Sequence, residues 1–112
     1  MDSSSAIPEK TAAHKLISFE GELDLHRYAA TKLALDEAIA QRPSKVLLDL
    51  SKMSYIDSSG LAAFLEAMQK VKAYGGGFYL VAVQEPVMTI FETSKLDEVF
   101  RIVPSVDAAE AD

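Results

Sequence analysis

The amino-acid sequence predicts a single α/β domain in which strands and helices alternate along the chain. Two short and nearly continuous apolar runs, residues 45–50 and 78–83, are typical of strands buried on both faces of a parallel sheet. Between them, apolar residues recur at the spacing of an amphipathic helix. The chain has 112 residues, of which 49% are apolar, so it is long enough for one hydrophobic core and too short for two.

The first strand is predicted to follow a polar arm. Residues 1–12 are mostly small and polar and include Pro8, which favours a flexible arm in front of a domain at residues 13–112. Two sets of side chains then alternate over residues 15–20, which is the period of a strand: Lys15, Ile17 and Phe19 on one side, and Leu16, Ser18 and Glu20 on the other. Gly21 is predicted to end this strand.

A helix and a buried strand come next. Residues 25–40 are rich in Ala, Leu, Lys and Glu, which are good helix formers, and Asp24 can cap this helix. Pro43 ends the helix, and the apolar run at 45–50 forms the second strand. Residues 51–57 are predicted to form a loop.

The clearest amphipathic pattern follows this loop. One face of the predicted helix carries Leu61, Phe64, Leu65, Met68 and Val71. Three glycines at 75–77 end this helix and precede the third strand at 78–83. Pro86 fits the first turn of a third helix, and residues 100–103 form a last short strand. A short terminal helix follows Pro104.

Charge and composition argue against several classes of function. The chain carries 17 acids and 11 bases, a net charge of −6, and its bases form no cluster. Nucleic-acid binding needs such a cluster, so direct contact with DNA or RNA is not expected. The sequence has no secretory signal pattern and no apolar run of the ~18 residues that cross a membrane, so we predict a cytoplasmic protein. Without cysteine, disulfides and thiol nucleophiles are excluded.

The sequence contains no convincing catalytic, phosphate or metal site. Ser58 lacks the glycine that precedes the nucleophile of α/β hydrolases by two residues, and the two histidines, His14 and His26, are predicted to be surface or cap residues. The glycines at 75–77 precede a strand rather than a helix, so they do not form a phosphate loop. The carboxylates within residues 20–24 lack the His or Cys of a convincing metal site.

The stretch Asp57-Ser58-Ser59-Gly60 carries the strongest functional signal. An acid and hydroxyls before an apolar helical run are typical of a helix N-cap, and capping alone could explain them. However, the stretch follows a buried strand, at the sheet edge where α/β proteins place their sites. It also has two hydroxyls where one cap suffices, and a glycine that costs roughly 0.5–1 kcal/mol in a helix. We therefore predict that Asp57 caps the helix and orients the Ser58 hydroxyl, and that a partner approaches the backbone at Gly60.

Ser58 is well placed to carry a phosphate. A phosphate adds about −1.5 to −2 charge beside the positive end of the helix dipole, so the fold tolerates it. A partner protein docked on the same end of the helix would not tolerate this added charge. Two unit charges roughly 4 Å apart repel by about 4 kcal/mol at an effective dielectric near 20, which is about three decades of affinity. Phosphorylation could therefore switch binding without refolding the domain.

Several motifs together resemble the STAS domain, and in particular bacterial anti-sigma factor antagonists. They are GELD at 21–24, VLLDLSKMSYIDSSGLAAF at 46–64 and SKLDEVFRIVPSVDAA at 94–109, and the resemblance extends over about residues 14–109. It implies one STAS-type domain, an α/β fold with a mixed β-sheet of four to five strands flanked by about four helices. It implies no catalytic activity and no cofactor. Lys95 departs from the family pattern, which usually has glycine there, and this suggests a different partner at that edge.

The resemblance also implies a mechanism. In this family, the unphosphorylated protein binds an anti-sigma factor that is also a serine kinase, and thereby releases the sigma factor. The kinase phosphorylates the serine directly after the aspartate of the motif, which is Ser58 here, and a PP2C-type serine phosphatase removes the phosphate. The contact surface implied by the matching positions comprises Asp24, Asp57, Ser58, Ser59 and Gly60. We expect a monomer that contacts neither nucleic acid nor membrane.

Two alternatives remain open from the sequence. The chain could be a STAS binding or scaffold subunit of a transporter or another signalling complex, in which the serine is never phosphorylated. It could also be a small hydrolase that uses Ser58, although the sequence offers no convincing base for that reaction.

Overall fold

Four strands and four helices alternate along residues 11–112, the part of the chain that the structure, a computed structural model, describes. The strands are β1 (Thr11–Leu23), β2 (Pro43–Ile56), β3 (Gly77–Val81) and β4 (Arg101–Val103). The helices are α1 (Tyr28–Ile39), α2 (Ser58–Ala73), α3 (Glu85–Thr93) and α4 (Val106–Ala111), and a 3₁₀ turn, Leu25–Arg27, precedes α1. The predicted alternation of strands and helices is confirmed.

The strands form one sheet in the order β1-β2-β3-β4. Within residues 11–112, each pair of neighbouring strands is parallel. The resemblance implied a mixed sheet, so the structure differs from it in this respect. The reason lies in the connections, since a helix returns the chain to the starting edge before each new strand. The carboxyl ends of the strands therefore lie at one edge of the sheet, where the Asp57 stretch begins.

The prediction of a loop at residues 51–57 is wrong, because β2 continues to Ile56. The added segment pairs with β1, so that Met53 lies opposite Gly21 and Ile56 opposite Leu23. Both Met53 and Ile56 are only 1% exposed. Gly21 likewise does not end β1; it lies beside a register irregularity with a φ of 73°, which glycine adopts readily. Both strands are lengthened by their mutual pairing, which a single-strand pattern does not show.

The two faces of the sheet are covered unequally. One face packs against α1, α2 and α3, and its buried residues include Phe19, Leu35, Leu48, Phe64 and Phe91. The other face carries a smaller cluster that contains Leu47, Tyr79, Val81, Val103 and, from α4, Ala109. Leu47 and Leu48 of β2 enter different clusters because successive side chains of a strand point to opposite faces.

The ends of the domain differ slightly from the prediction. β1 begins at Thr11, two residues before the predicted start of the domain, and the rest of the predicted arm lies outside the described residues. Among residues 11–112, no helix has the length and apolar character needed to cross a membrane.

Candidate functional site

The candidate site lies where the carboxyl ends of β1 and β2 meet the start of α2. Leu23 and Ile56 end these strands as a register pair. The N–H of Asp57 then donates to the carbonyl oxygen of Leu23 at 3.1 Å, which ties the chain after β2 to the end of β1. The first turn of α2 is thus held against two buried strands.

The Asp57 carboxylate organises this edge of the sheet. Its Oδ1 atom accepts hydrogen bonds from the N–H groups of Ser59 at 2.9 Å and Gly60 at 3.1 Å, so the predicted N-cap is confirmed. Its Oδ2 atom accepts from the N–H of Leu25 at 3.2 Å, so the same side chain also holds the turn before α1. Sequence reasoning missed this second contact, since it joins residues that are 32 positions apart.

The prediction that Asp57 orients the Ser58 hydroxyl is not supported by a hydrogen bond between the two side chains within residues 11–112. Both carboxylate oxygens are used by backbone N–H groups, and within residues 11–112 no hydrogen bond joins Ser58 Oγ to another protein group. The side chain of Ser58, the first residue of α2, is exposed, whereas Ser59 is half-buried. The Ser58 hydroxyl is therefore open to a visiting protein.

Ser58 lies in an open groove of about 360 Å³ between the start of α2 and the end of α3. The groove is lined by Tyr55, Ile56, Asp57, Ser58, Leu61, Ile90 and Ser94. Tyr55 is 45% exposed, and Leu25, bonded to Asp57 through its N–H, is 69% exposed. The sequence did not identify these two apolar side chains as surface residues, because both lie in segments whose pattern allows burial.

Gly60 is explained by the fold itself. It is buried, and a Cβ atom at this position would lie 2.6 Å from Cγ1 of Ile56 and 3.0 Å from the carbonyl oxygen of Leu23. Such distances are too short for van der Waals contact, so only glycine lets α2 start this close to the sheet. From the sequence alone, this glycine is expected to serve the close approach of a partner. The structure instead explains it by the close packing of α2 against the ends of β1 and β2.

Asp24 and its neighbours form the second part of the site. The half-buried Asp24 accepts a hydrogen bond from the N–H of His26 at 3.0 Å and caps the 3₁₀ turn, as predicted for the helix start. Arg27 donates from Nη1 to the carbonyl oxygens of Glu20 and Glu22 at 2.6 and 2.8 Å. The acidic segment is thus fixed through its backbone, and its exposed carboxylates remain at the surface.

The described residues offer no support for the hydrolase alternative. His14 is paired in register with Lys45 near the start of β2, at the far end of the strand from Ser58. His26 is exposed, and no hydrogen bond joins either imidazole to Ser58 within residues 11–112. The same range contains no group of three or more His, Cys, Asp or Glu residues that could hold a metal ion.

Comparisons with known proteins agree with this geometry. The family model of the STAS domain matches residues 6–109 of the chain. An anti-sigma F factor antagonist from Paenibacillus polymyxa is 31% identical over 93 residues, which cover 82% of this chain and 77% of the relative. The sequence-based resemblance is therefore confirmed.

Two solved structures share the fold. The anti-sigma factor antagonist SpoIIAA in its unphosphorylated form has a TM-score of 0.73 and 25% identity, covering 88% of this chain and 86% of its own. The Bacillus cell fate determinant SpoIIAA in its phosphorylated form has a TM-score of 0.67 and 24% identity, covering 90% and 92%. Proteins of this family act by binding other proteins and are not enzymes. The chain belongs to the STAS domain family, and the relatives that it resembles are anti-sigma factor antagonists.

Proposed function

We propose that this chain is an anti-sigma factor antagonist that works as a phosphorylation-switched binding module. When Ser58 is unphosphorylated, the chain binds an anti-sigma factor that is also a serine kinase, and the sigma factor is released. Phosphorylation of Ser58 ends this binding, and a PP2C-type serine phosphatase restores it. The observation that carries the proposal is an exposed hydroxyl at the start of α2 that makes no hydrogen bond within residues 11–112.

The surface around Ser58 has the mixed character of a protein interface. Leu25 and Tyr55 present exposed apolar area, and Asp24 and Asp57 supply negative charge beside it. Aromatic anchors with a polar rim are common at protein–protein contacts. The proposed contact surface comprises Asp24, Asp57, Ser58, Ser59 and Gly60, with Gly60 contributing through the close seating of α2 rather than by direct approach.

The switch follows from charge at a rigid position. The first turn of α2 is held by Asp57 and packed on Ile56, so a phosphate on Ser58 would change the surface and leave the fold intact. It would add about −1.5 to −2 charge next to Asp57 and Asp24, on a surface that is already acidic. A partner whose contacts suit the neutral hydroxyl then meets repulsion of the order of 4 kcal/mol.

The relatives support this mode of action. The relative from Paenibacillus polymyxa is named for its action on an anti-sigma F factor. SpoIIAA, whose unphosphorylated form is 25% identical to this chain, has been solved with and without its phosphate. Because a sigma factor acts on RNA polymerase, the proposal implies a cytoplasmic role without direct contact to DNA or membrane.

A kinase assay combined with binding measurements tests the proposal. The full chain is incubated with ATP and candidate anti-sigma factor kinases from the same genome, and the phosphosite is mapped by mass spectrometry. We expect phosphate on Ser58 and not on the serines at 3–5. Ser58→Ala should bind the kinase and resist phosphorylation, and Ser58→Asp should bind at least about 100-fold more weakly, since repulsion of about 4 kcal/mol corresponds to about three decades of affinity. Ser18→Ala, at an exposed position of β1 outside the proposed contact surface, is the control and should still bind and accept phosphate on Ser58.

Two outcomes would contradict the switch. If Ser58→Asp binds as tightly as the wild type, charge repulsion does not control the contact. If the wild type binds its partner but no kinase modifies Ser58, the chain is a STAS scaffold subunit instead.

A further inference from the structure

The end of α3 uses a lysine where the end of α2 uses a glycine. After α2, Gly75 has a φ of 85°, its N–H donates to Lys72 O at 3.0 Å, and the N–H of Gly76 donates to Val71 O at 3.0 Å. After α3, the same pattern recurs at Lys95 and Leu96, with donor–acceptor distances of 3.0 and 2.8 Å. Lys95 has a φ of 61°, a left-handed conformation that disfavours L-residues and favours glycine.

The fold explains the other side chains at positive φ better than it explains Lys95. Three residues other than glycine adopt this conformation within residues 11–112: Arg42, Ala82 and Lys95. The Arg42 guanidinium lies 5.6 Å from the centre of the Tyr74 ring, a cation–π contact, and the Ala82 side chain packs against the smaller apolar cluster of the sheet. Lys95 is exposed, and its ammonium has no hydrogen bond or ion pair in the described part of the chain.

Lys95 directly follows a residue that lines the groove containing Ser58. The preceding residue, Ser94, lines this groove on the α3 side, while Asp57 lines it on the α2 side. Asp57 therefore gives the α2 wall of the groove a negative charge, and Lys95 follows the α3 wall in the chain. The lysine ammonium stands on a flexible four-carbon stem. A partner that matches the lysine places an anion towards Lys95, and the same anion would be repelled by a phosphate on Ser58.

We propose that Lys95 is a specificity-determining residue that contacts a carboxylate of the anti-sigma factor when the unphosphorylated chain binds it. This inference rests on the proposed function and defines the charge pattern of the partner. A left-handed lysine whose ammonium has no partner within residues 11–112 is a local cost to the fold, and strain of this kind is found at functional positions. Contact with a partner explains why this position carries a lysine, which the fold alone does not explain.

Charge variants of Lys95 test the inference against the anti-sigma factor identified by the kinase assay. Lys95→Gln should weaken binding about two- to fivefold, the range expected for one exposed ion pair, and Lys95→Glu about tenfold or more through repulsion. Lys95→Arg should bind like the wild type, since it keeps the charge. Lys72→Gln, which removes an exposed lysine near the other end of α2, is the control and should leave the affinity unchanged.

A stability measurement separates the role of Lys95 in binding from a role in folding. Lys95→Gly should raise the melting temperature by about 2–5 °C, because glycine adopts the positive φ without strain, and should still weaken binding. If it lowers the melting temperature, the lysine serves the fold and the inference is wrong.

The remaining outcomes are also decisive. If the wild type binds and all Lys95 variants bind equally well, the inference fails while the proposed function stands. If binding is unchanged but Lys95→Gln raises the second pKa of phosphate on Ser58, measured by phosphorus NMR, the lysine serves the phosphate and not the partner. If the wild type binds no anti-sigma factor, the proposed function and this inference fall together.

Discussion

The carboxyl edge of the sheet and the C-terminal helix α4 use polar side chains in opposite ways. At the carboxyl edge, Asp57 satisfies three backbone N–H groups and leaves the Ser58 hydroxyl, Leu25 and Tyr55 at the surface. Around α4, by contrast, the polar side chains are directed at the helix itself. Each region contains a helix that starts just after a strand, so the local pattern of the chain does not account for this difference.

The contacts around α4 are dense. Lys45 Nζ donates to the carbonyl oxygens of Ala109, Glu110 and Asp112 at 2.8–2.9 Å. The Tyr79 hydroxyl and the Arg101 guanidinium both donate to the Asp112 carboxylate. A helix of six residues is too short to be stable alone, so these contacts and the apolar strip beneath it keep it in place. The comparison teaches that polar groups with internal partners close the fold, while those without partners are available for binding.

The largest effect is expected at the carboxyl edge, where Gly60 packs closely against Ile56 and Leu23. Gly60→Ala places a methyl group 2.6 Å from Ile56 and should lower the free energy of unfolding by about 1–3 kcal/mol, measured by urea denaturation. Ala62→Ser, at an exposed position of the same helix, is the control and should change it by less than about 0.5 kcal/mol. A Gly60→Ala protein as stable as the control would show that the first turn of α2 adjusts easily.

A smaller effect is expected from the anchor of α4. Lys45→Met removes three charge-assisted hydrogen bonds at the C-terminal end of the helix and should cost about 1–2 kcal/mol. Amide exchange should accelerate in α4 while binding of the anti-sigma factor is unchanged, since the two regions are separate. Lys15→Met, at an exposed position of β1, should alter neither. Loss of partner binding in Lys45→Met would show that the two regions are coupled.

The smallest effect is expected from acid. Hydrogen bonds from Arg101 and Tyr79 hold the pKa of the Asp112 carboxyl below its ordinary value. Because the folded-state pKa is depressed, the contribution of Asp112 is present above its unfolded-state pKa near 3.8 and is lost as the pH falls through the folded-state value. NMR signals of α4 should therefore shift in acid, and Asp112→Asn should remove most of that pH dependence. If the NMR signals of α4 shift equally in acid in the Asp112→Asn protein, the shift is caused by other carboxylates.

Much of the candidate site was predictable because its signals are local. The cap at Asp57 and the helix that begins at Ser58 depend on residue types within one helical turn. The exposure of Ser58 follows from its place before the first apolar residue of that helix. Leu25 and Tyr55 were not predictable as surface residues, since apolar residues in such segments are as often buried.

The sequence by itself determined the order of strands and helices, the apolar faces and the capping residues, because each depends on spacing within a few positions. Only the tertiary structure decided that residues 51–56 extend β2, that Gly60 lies against Ile56 and Leu23, and that Lys45 holds the end of α4. These contacts join parts of the chain that approach each other only when the sheet has formed. These contacts depend on pairing between distant segments, and the local pattern of one segment does not show which other segment it will contact.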